Sequence, residues 1–178
     1  FYTNTRDGRF GKGNIYTWAG GNGRGVNDYS NKDDLAGSIY TIAVAAVNNK
    51  GQQSWYSESG SNILISAPSS GNNNKGITTT TINSGYTNSF GGTSSACPLV
   101  SGVIALILQA NSELNWREVM LVLIKSARKN DPNDGDWTTN GAVSKHYGRE
   151  NYTTNFKQFN WSSTDGYHIN HKYGFGVV

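Results

Sequence analysis

The ten-residue run Ser38–Val47, SIYTIAVAAV, carries no charge and is dominated by apolar and β-branched side chains. A half-solvated strand would alternate polar and apolar residues. A near-continuous run of this kind belongs to a strand covered on both faces, as in a parallel sheet beneath helices. Two shorter runs repeat the pattern: Asn14–Ala19 (NIYTWA), ended by Gly20-Gly21, and Ile63–Pro68 (ILISAP), stopped by proline. Thr78–Thr81 suggests a hairpin arm. Two helices follow. The first, from about Ser94 to Asn111, carries Val100, Val103, Ile104, Leu106, Ile107 and Leu108, so the sequence places it centrally rather than at the surface. The second begins at Asn115, an N-cap with Glu118 three residues on, and runs to about Ala127. Strands alternating with helices imply an α/β layered domain with a mainly parallel central sheet.

Between these elements the chain is polar. Residues Phe1 to Lys12 are expected to be the tail of a helix and its exit loop. Gly21 to Ala36 is dense in Gly, Asn and Asp, and Asn130 to Asp165 reads as an exposed excursion rich in turn pairs. The mixture is polar yet only 15% charged, which suits an extracellular α/β protein with long surface loops better than a cytosolic helical one. A net charge of +3, scattered rather than striped, gives a nucleic-acid interface no support. No apolar run approaches the roughly 18–20 residues of a membrane span. The single cysteine, Cys97, cannot form an internal disulfide. The chain opens at Phe1 rather than Met, so it is expected to be an excerpt of a longer precursor, with targeting information elsewhere.

Two local motifs carry chemistry. Gly91-Gly92-Thr93-Ser94-Ser95-Ala96-Cys97-Pro98 leads straight into the apolar helix. Free backbone N–H groups and the positive dipole end converge there, a placement that suits a serine nucleophile whose attack generates an oxyanion. Ser and Thr ahead of a helix more often simply cap it, and the motif alone leaves both readings open. Ala19-Gly20-Gly21-Asn22-Gly23 follows a buried strand and sets Asn22 at the strand's C-terminal edge, where α/β sheets place their sites. An amide there can donate to a developing oxyanion, or serve only as a turn residue.

The ordered set Tyr16–Gly23, Ser38-Ile39-Tyr40, Tyr56-Ser57-Glu58, Gly91–Ser94, Asn115–Glu118, Asp136–Gly141 and Tyr173–Gly176 resembles the kexin and furin branch of the subtilisin-like serine proteases, and their bacterial secreted relatives. The resemblance runs from about Gly13 to Val178 and implies the C-terminal part of one subtilisin-like three-layer catalytic domain, with residues 143–164 as an insertion. It implies a Ser-His-Asp hydrolase with Ser94 as nucleophile and Asn22, with the Ser94 N–H, as oxyanion donor. The catalytic Asp and His precede both motifs in subtilases, so they are expected upstream of Phe1. His146, His168 and His171 all follow Ser94, and this stretch alone is expected to be inactive.

The same resemblance places Asp33 at the base of the S1 pocket, as a buried carboxylate for a P1 Arg or Lys, with Ala19, Gly20 and Gly21 along the substrate-binding wall. It gives Asp28 and Glu58 to a structural Ca²⁺ beneath that pocket, with a third carboxylate from upstream. Taken without it, Asp28, Asp33 and Asp34 read equally as solvated loop acids. Where many animal and fungal members have a disulfide, this chain has Ser30 and Gly60, and Phe90 stands where kexins often have His. Cys97 reads as a small packing residue. Asn151 and Asn160 open N-x-S/T sequons, and His168-x-x-His171 has a loose metal-like spacing.

Together these imply a secreted or secretory-pathway, Ca²⁺-dependent serine endopeptidase acting on proteins or peptides after basic residues. A propeptide and a downstream β-sandwich domain are its expected partners. A broad-specificity subtilase and a non-catalytic binding module on the same scaffold are the alternatives.

Overall fold

The computed structural model describes residues 1–71, 75–140 and 166–178. The insertion at 143–164, with His146, Asn151 and Asn160, lies outside the described residues, as does Gly141. Strands β1 (Tyr16–Ala19), β2 (Thr41–Val47) and β3 (Ile63–Pro68) form one parallel sheet in the order β1-β2-β3. Tyr16 pairs with Thr41 and Ala19 with Val44. The central place of β2 explains its sequence, since all seven of its residues are buried. Helix α1 (Tyr2–Gly11) precedes the sheet; Gly8 takes an extended ψ of 159°, breaking the helix after Asp7 and turning the chain back toward β1.

β4 (Ile77–Thr81) and β5 (Gly85–Phe90) make an antiparallel hairpin that leads into α2 (Thr93–Ala110). Ala96, Val100 and Ile104, one turn apart each, pack with Ile42, Val44, Ala46, Ile65 and Ala67 as the main core. The opposite sheet face buries Ala43, Ala45 and Ile63 with Ala36, and Trp18 packs against them. Here α2 departs from expectation. Only one stripe is covered, and Leu99 and Leu106 on the other side are 41% and 65% exposed. The apolar count is high enough for a central helix, but the described elements supply packing partners on one side only. At 18 residues and a mean hydropathy of 1.6, α2 is also long and apolar enough to cross a membrane, contrary to the expectation that no run comes near that length. Its packed stripe against three strands marks it as a core helix.

Helix α3 (Trp116–Ser126) starts as its capping box dictates. The Asn115 carboxamide oxygen accepts from the N–H groups of Arg117 and Glu118, both at 3.0 Å, and Glu118 accepts from the Asn115 N–H at 2.8 Å. The chain's end then completes the sheet margin: the N–H groups of Phe175 and Val178 bond Leu64 and Ser66 of β3, and Val177 bonds Arg128.

A second small unit clasps this end. β6 (Thr138–Thr139) pairs with β7 (His168–Ile169). Lys172 Nζ reaches Asp134 at 2.8 Å and Asp136 at 2.7 Å, and the Tyr173 hydroxyl donates to Asp131 at 3.1 Å while its ring stacks on Trp137. Burial pushes the Asp134 carboxyl up, but bonds from Lys172, the Asp136 N–H and Asn170 outweigh it and hold the group below the usual carboxylate range. Burial likewise pulls Lys172 down, and its two carboxylate partners bring the net shift upward. His168 packs edge-on against Trp137 and His171 is exposed. Among the described residues no group of three or more His, Cys, Asp or Glu is gathered around a metal-sized space.

Candidate active site

Strand β1 delivers its last residues to the mouth of α2. The Gly20 N–H still bonds Val44 in the sheet at 2.9 Å, and then Gly21 turns the chain at a φ of +105°. A side chain at Gly21 would collide with the Glu58 carboxylate, so the turn and the approach of Glu58 both require glycine. Asn22 is thereby aimed at the first turn of α2. Its Oδ1 accepts from the Thr93 N–H at 2.9 Å and the Thr93 hydroxyl at 3.0 Å, and Thr93 Oγ1 accepts in turn from the Gly21 N–H at 3.2 Å. With the oxygen occupied twice, the amide nitrogen is left for another partner.

The space in front of that nitrogen is set by Gly92, at a φ of +78°. The position a Cβ would take on Gly92 lies 3.4 Å from Asn22 Nδ2 and 3.6 Å from the Ser94 nitrogen. Two nitrogens thus border one carbon-sized space, with Asn22 Oδ1, already engaged by Thr93, beside them at 3.5 Å. Thr93 is buried while Ser94, the next residue, is exposed beside the gap. The turn is held from below: the Gly92 N–H donates to the Tyr56 hydroxyl at 3.0 Å, and Ser69 Oγ donates to the Gly92 carbonyl at 2.7 Å. The sequence marks none of Thr93, Ser69 and Tyr56 for this work. Tyr56 stands inside a family motif, but nothing local to it announces a bond to a residue 36 positions away.

Cys97 lies one turn into α2, half-buried against the main core. Burial pushes its thiol up, more than a bond with Thr17 draws it down. A thiol shifted that way is a poor nucleophile at neutral pH.

On the other side of Gly20-Gly21 lies a pocket of about 260 Å³, lined by Ala19, Gly20, Gly21, Asp28, Tyr29, Lys32, Asp33 and Glu58. The three wall residues and three acids singled out in the sequence therefore meet in one place. Glu58 is 7% exposed; its Oε1 accepts from the Gly23 N–H at 2.7 Å, and its own N–H bonds the Gly21 carbonyl at 3.1 Å. Asp28 is half-exposed, with Lys32 at 3.6 Å. Asp33 differs from the buried carboxylate expected of it. It is exposed on the loop after a 3₁₀ turn (Ser30–Lys32), where its Oδ1 accepts from Leu35 at 2.8 Å and Ala36 at 2.7 Å. Three carboxylates against one ammonium leave the lining acidic.

Asp28 and Glu58 flank Gly23, whose Cβ position lies 2.9 Å from Glu58 Oε1 and 3.4 Å from Asp28 Oδ2. Two converging carboxylates, one buried with no cationic partner among the described residues, fit the oxygen-donor chemistry of a hard divalent cation. They supply two ligands of the roughly six to eight that Ca²⁺ takes.

A parallel sheet whose strand end feeds an asparagine to the serine-bearing first turn of its covering helix defines a subtilisin-like α/β domain. The chain belongs to the subtilase family, whose model matches residues 2–176. It is 41% identical to Furin-1 of Xenopus laevis over 152 residues, covering 83% of this chain and 19% of that protein. It is 34% identical to proprotein convertase subtilisin/kexin type 5 of Rattus norvegicus over 179 residues, covering 100% of this chain and 9% of that one. Among solved structures, the serine protease of Aeromonas sobria superposes with a TM-score of 0.76 at 22% identity, over 93% of this chain and 35% of its own. A cold-adapted subtilisin-like serine proteinase gives 0.55 at 28% identity, over 63% and 38%.

Proposed function

We propose that this chain supplies the nucleophile, oxyanion donors and S1 floor of a secretory-pathway or secreted serine endopeptidase that cleaves after basic residues. It is the C-terminal part of a catalytic domain in this reading, and the general-base His and its Asp come from upstream in the full-length protein. The observation that carries the proposal is the double lock on Asn22 Oδ1 by Thr93, which leaves the amide nitrogen and the Ser94 N–H bordering one gap.

The chemistry follows from that placement. Ser94 Oγ attacks the scissile carbonyl carbon as the histidine takes its proton. The carbonyl oxygen becomes an oxyanion held by Asn22 Nδ2 and the Ser94 N–H. The C–N bond then breaks, the proton passes to the leaving amine, and water hydrolyses the acyl-enzyme by the reverse sequence. The acidic pocket, with Asp33 at its open side, receives the P1 Lys or Arg. Glu58 and Asp28 would be the carboxylates that hold a Ca²⁺, whose charge would offset their mutual repulsion. Identity to furin and a second convertase supports the basic specificity. The exposure of Asp33 favours the second reading, a subtilase of broader specificity, and cleavage-site profiling separates the two.

The decisive test is Asn22→Ala in the full-length enzyme. One oxyanion donor is worth roughly 10²–10³ in kcat, so kcat falls by that order while KM changes little. A variant altered mainly in KM would remove Asn22 from the oxyanion role. Labelling of Ser94 by a fluorophosphonate separates an activated serine from one that only caps the helix, and thereby tests the non-catalytic alternative.

A further inference from the structure

The loop carrying Asp33 is pinned by a side chain that no motif singled out. Asn62, just ahead of β3, directs both amide hydrogens into that loop: one to Ser30 Oγ and one to the Ala36 carbonyl, each at 2.9 Å. Ser30 and Ala36 are essentially inaccessible, at 0% and 2% exposure, so these bonds close off the loop at both ends. Ala36 passes the constraint on, because its own N–H donates to Asp33 Oδ1 at 2.7 Å. Thr41 also grips the loop, through the Leu35 carbonyl, but only at its later end. The Asn62 Oδ1 is buried and takes no partner, a cost that self-contained pairing would avoid. Its amide orientation is fixed by chemistry, since a carbonyl such as that of Ala36 can only accept.

The site holds a built-in alternative. A Cβ on Gly60 would collide with Asn62 Oδ1 and stand 3.1 Å from Ser30 Cβ. That is slightly inside the roughly 3.5–4.5 Å separation of a disulfide, so a modest shift admits one. A side chain at 60 would therefore displace the asparagine amide, and a cross-link from 60 to 30 would tie the same loop in its place.

We propose that Asn62 is a positioning residue: through Ala36 it holds the Asp33 carboxylate at the pocket and sets the preference for basic P1 residues. This rests on the reading of Asp33 given above. The test uses the full-length protease and matched peptides with Arg, Lys or norleucine at P1. Asn62→Ala and Asn62→Asp each lower kcat/KM for Arg and Lys by between about tenfold and about 10²-fold, mostly through KM, since small misplacements carry costs of that order. The norleucine substrate keeps its kcat and KM, because it carries no charge for Asp33 to meet and the chemical step is untouched. Adding Ser30→Cys and Gly60→Cys to Asn62→Ala restores the basic preference when oxidised and loses it on reduction. Equal losses on all three substrates, or failure of the oxidised cross-link to restore the preference, overturn the proposal. Asp33→Asn is the control. If it abolishes the preference while Asn62→Ala does not, the tie alone is refuted. If Asp33→Asn itself leaves the preference intact, the reading of Asp33 fails first and the tie falls with it.

Discussion

Among the described residues, three acids at the clasp and three along the pocket are treated in opposite ways. Around the clasp, Asp131, Asp134 and Asp136 are met by Lys172 and Tyr173 at distances of 2.7 to 3.1 Å. Around the pocket, Asp28, Asp33 and Glu58 face one lysine, 3.6 Å from Asp28 and 62% exposed. Glu58, the most buried of them, is met by a backbone N–H instead of a cation. Closely paired charge consumes its own binding capacity and becomes architecture. Charge left without a counter-ion inside a concave surface retains capacity for something arriving from outside.

Four experiments, from the largest expected effect to the smallest, break or sharpen that contrast. Asp33→Asn in the full-length enzyme lowers kcat/KM for P1 Arg or Lys relative to norleucine by on the order of 10²-fold, as loss of one member of a charge pair does. Its thermal midpoint stays near wild type, because the surviving oxygen still accepts the Leu35 and Ala36 N–H groups. A collapse of stability with unchanged preference would make the pocket another clasp.

Second, Ca²⁺ at about 100 times its dissociation constant stabilises the wild type by about 2.7 kcal/mol. Glu58→Gln abolishes that response while keeping an acceptor for Gly23. Thermal midpoints with and without chelator read it, and equal shifts in both proteins would dismiss the cation. Third, Asp134→Asn costs about 1.5–3 kcal/mol, the range for hydrogen bonds to a charged group, because Asp136 still meets Lys172 at 2.7 Å, and it leaves the P1 preference unaltered. Urea midpoints and the peptide panel report the two halves.

The fourth is a pH series on that same pair of proteins. The carboxyl of Asp134 is held below its ordinary 3.8, so its contribution is present above that value and lost as pH falls through the lower folded value. The stability gap between wild type and Asp134→Asn is therefore flat from about pH 5 to about pH 9, where neither an ordinary carboxyl nor an ordinary lysine changes charge. It narrows below 3.8. At the alkaline end Lys172 is raised above 10.5 and burial pushes Tyr173 up to about 12, so their support persists below their ordinary values and is lost as pH climbs through the raised ones. A gap that widens in acid would reverse the assignment.

Much of this is legible in the residues. The run at β2 betrays a central parallel strand because both of its faces need covering. Asn115 and Glu118 announce α3 because a capping box is satisfied entirely within four residues. What stays hidden is whatever depends on meetings across the chain. Tyr56 beneath Gly92 and Asn62 across to Ala36 are polar side chains whose partners lie 36 and 26 residues away. The exposure of Asp33 is equally hidden, because spacing fixes a position along the chain but not its depth. The same blindness applies to α2: composition counts apolar residues, whereas the described elements cover only one of its faces.

The bare Cα of Gly21 has a consequence for how such a pocket can change. Glu58 occupies the volume that any side chain at 21 would need, so the two positions are geometrically locked despite lying far apart in sequence. Neither can drift alone: enlarging residue 21 evicts the acid, and shortening the acid opens a void under the turn that aims Asn22. A mutational library at 21 should return almost nothing but glycine, because a φ of +105° excludes other side chains whatever stands at 58, whereas one at 58 should also return glutamine, which fills the same volume.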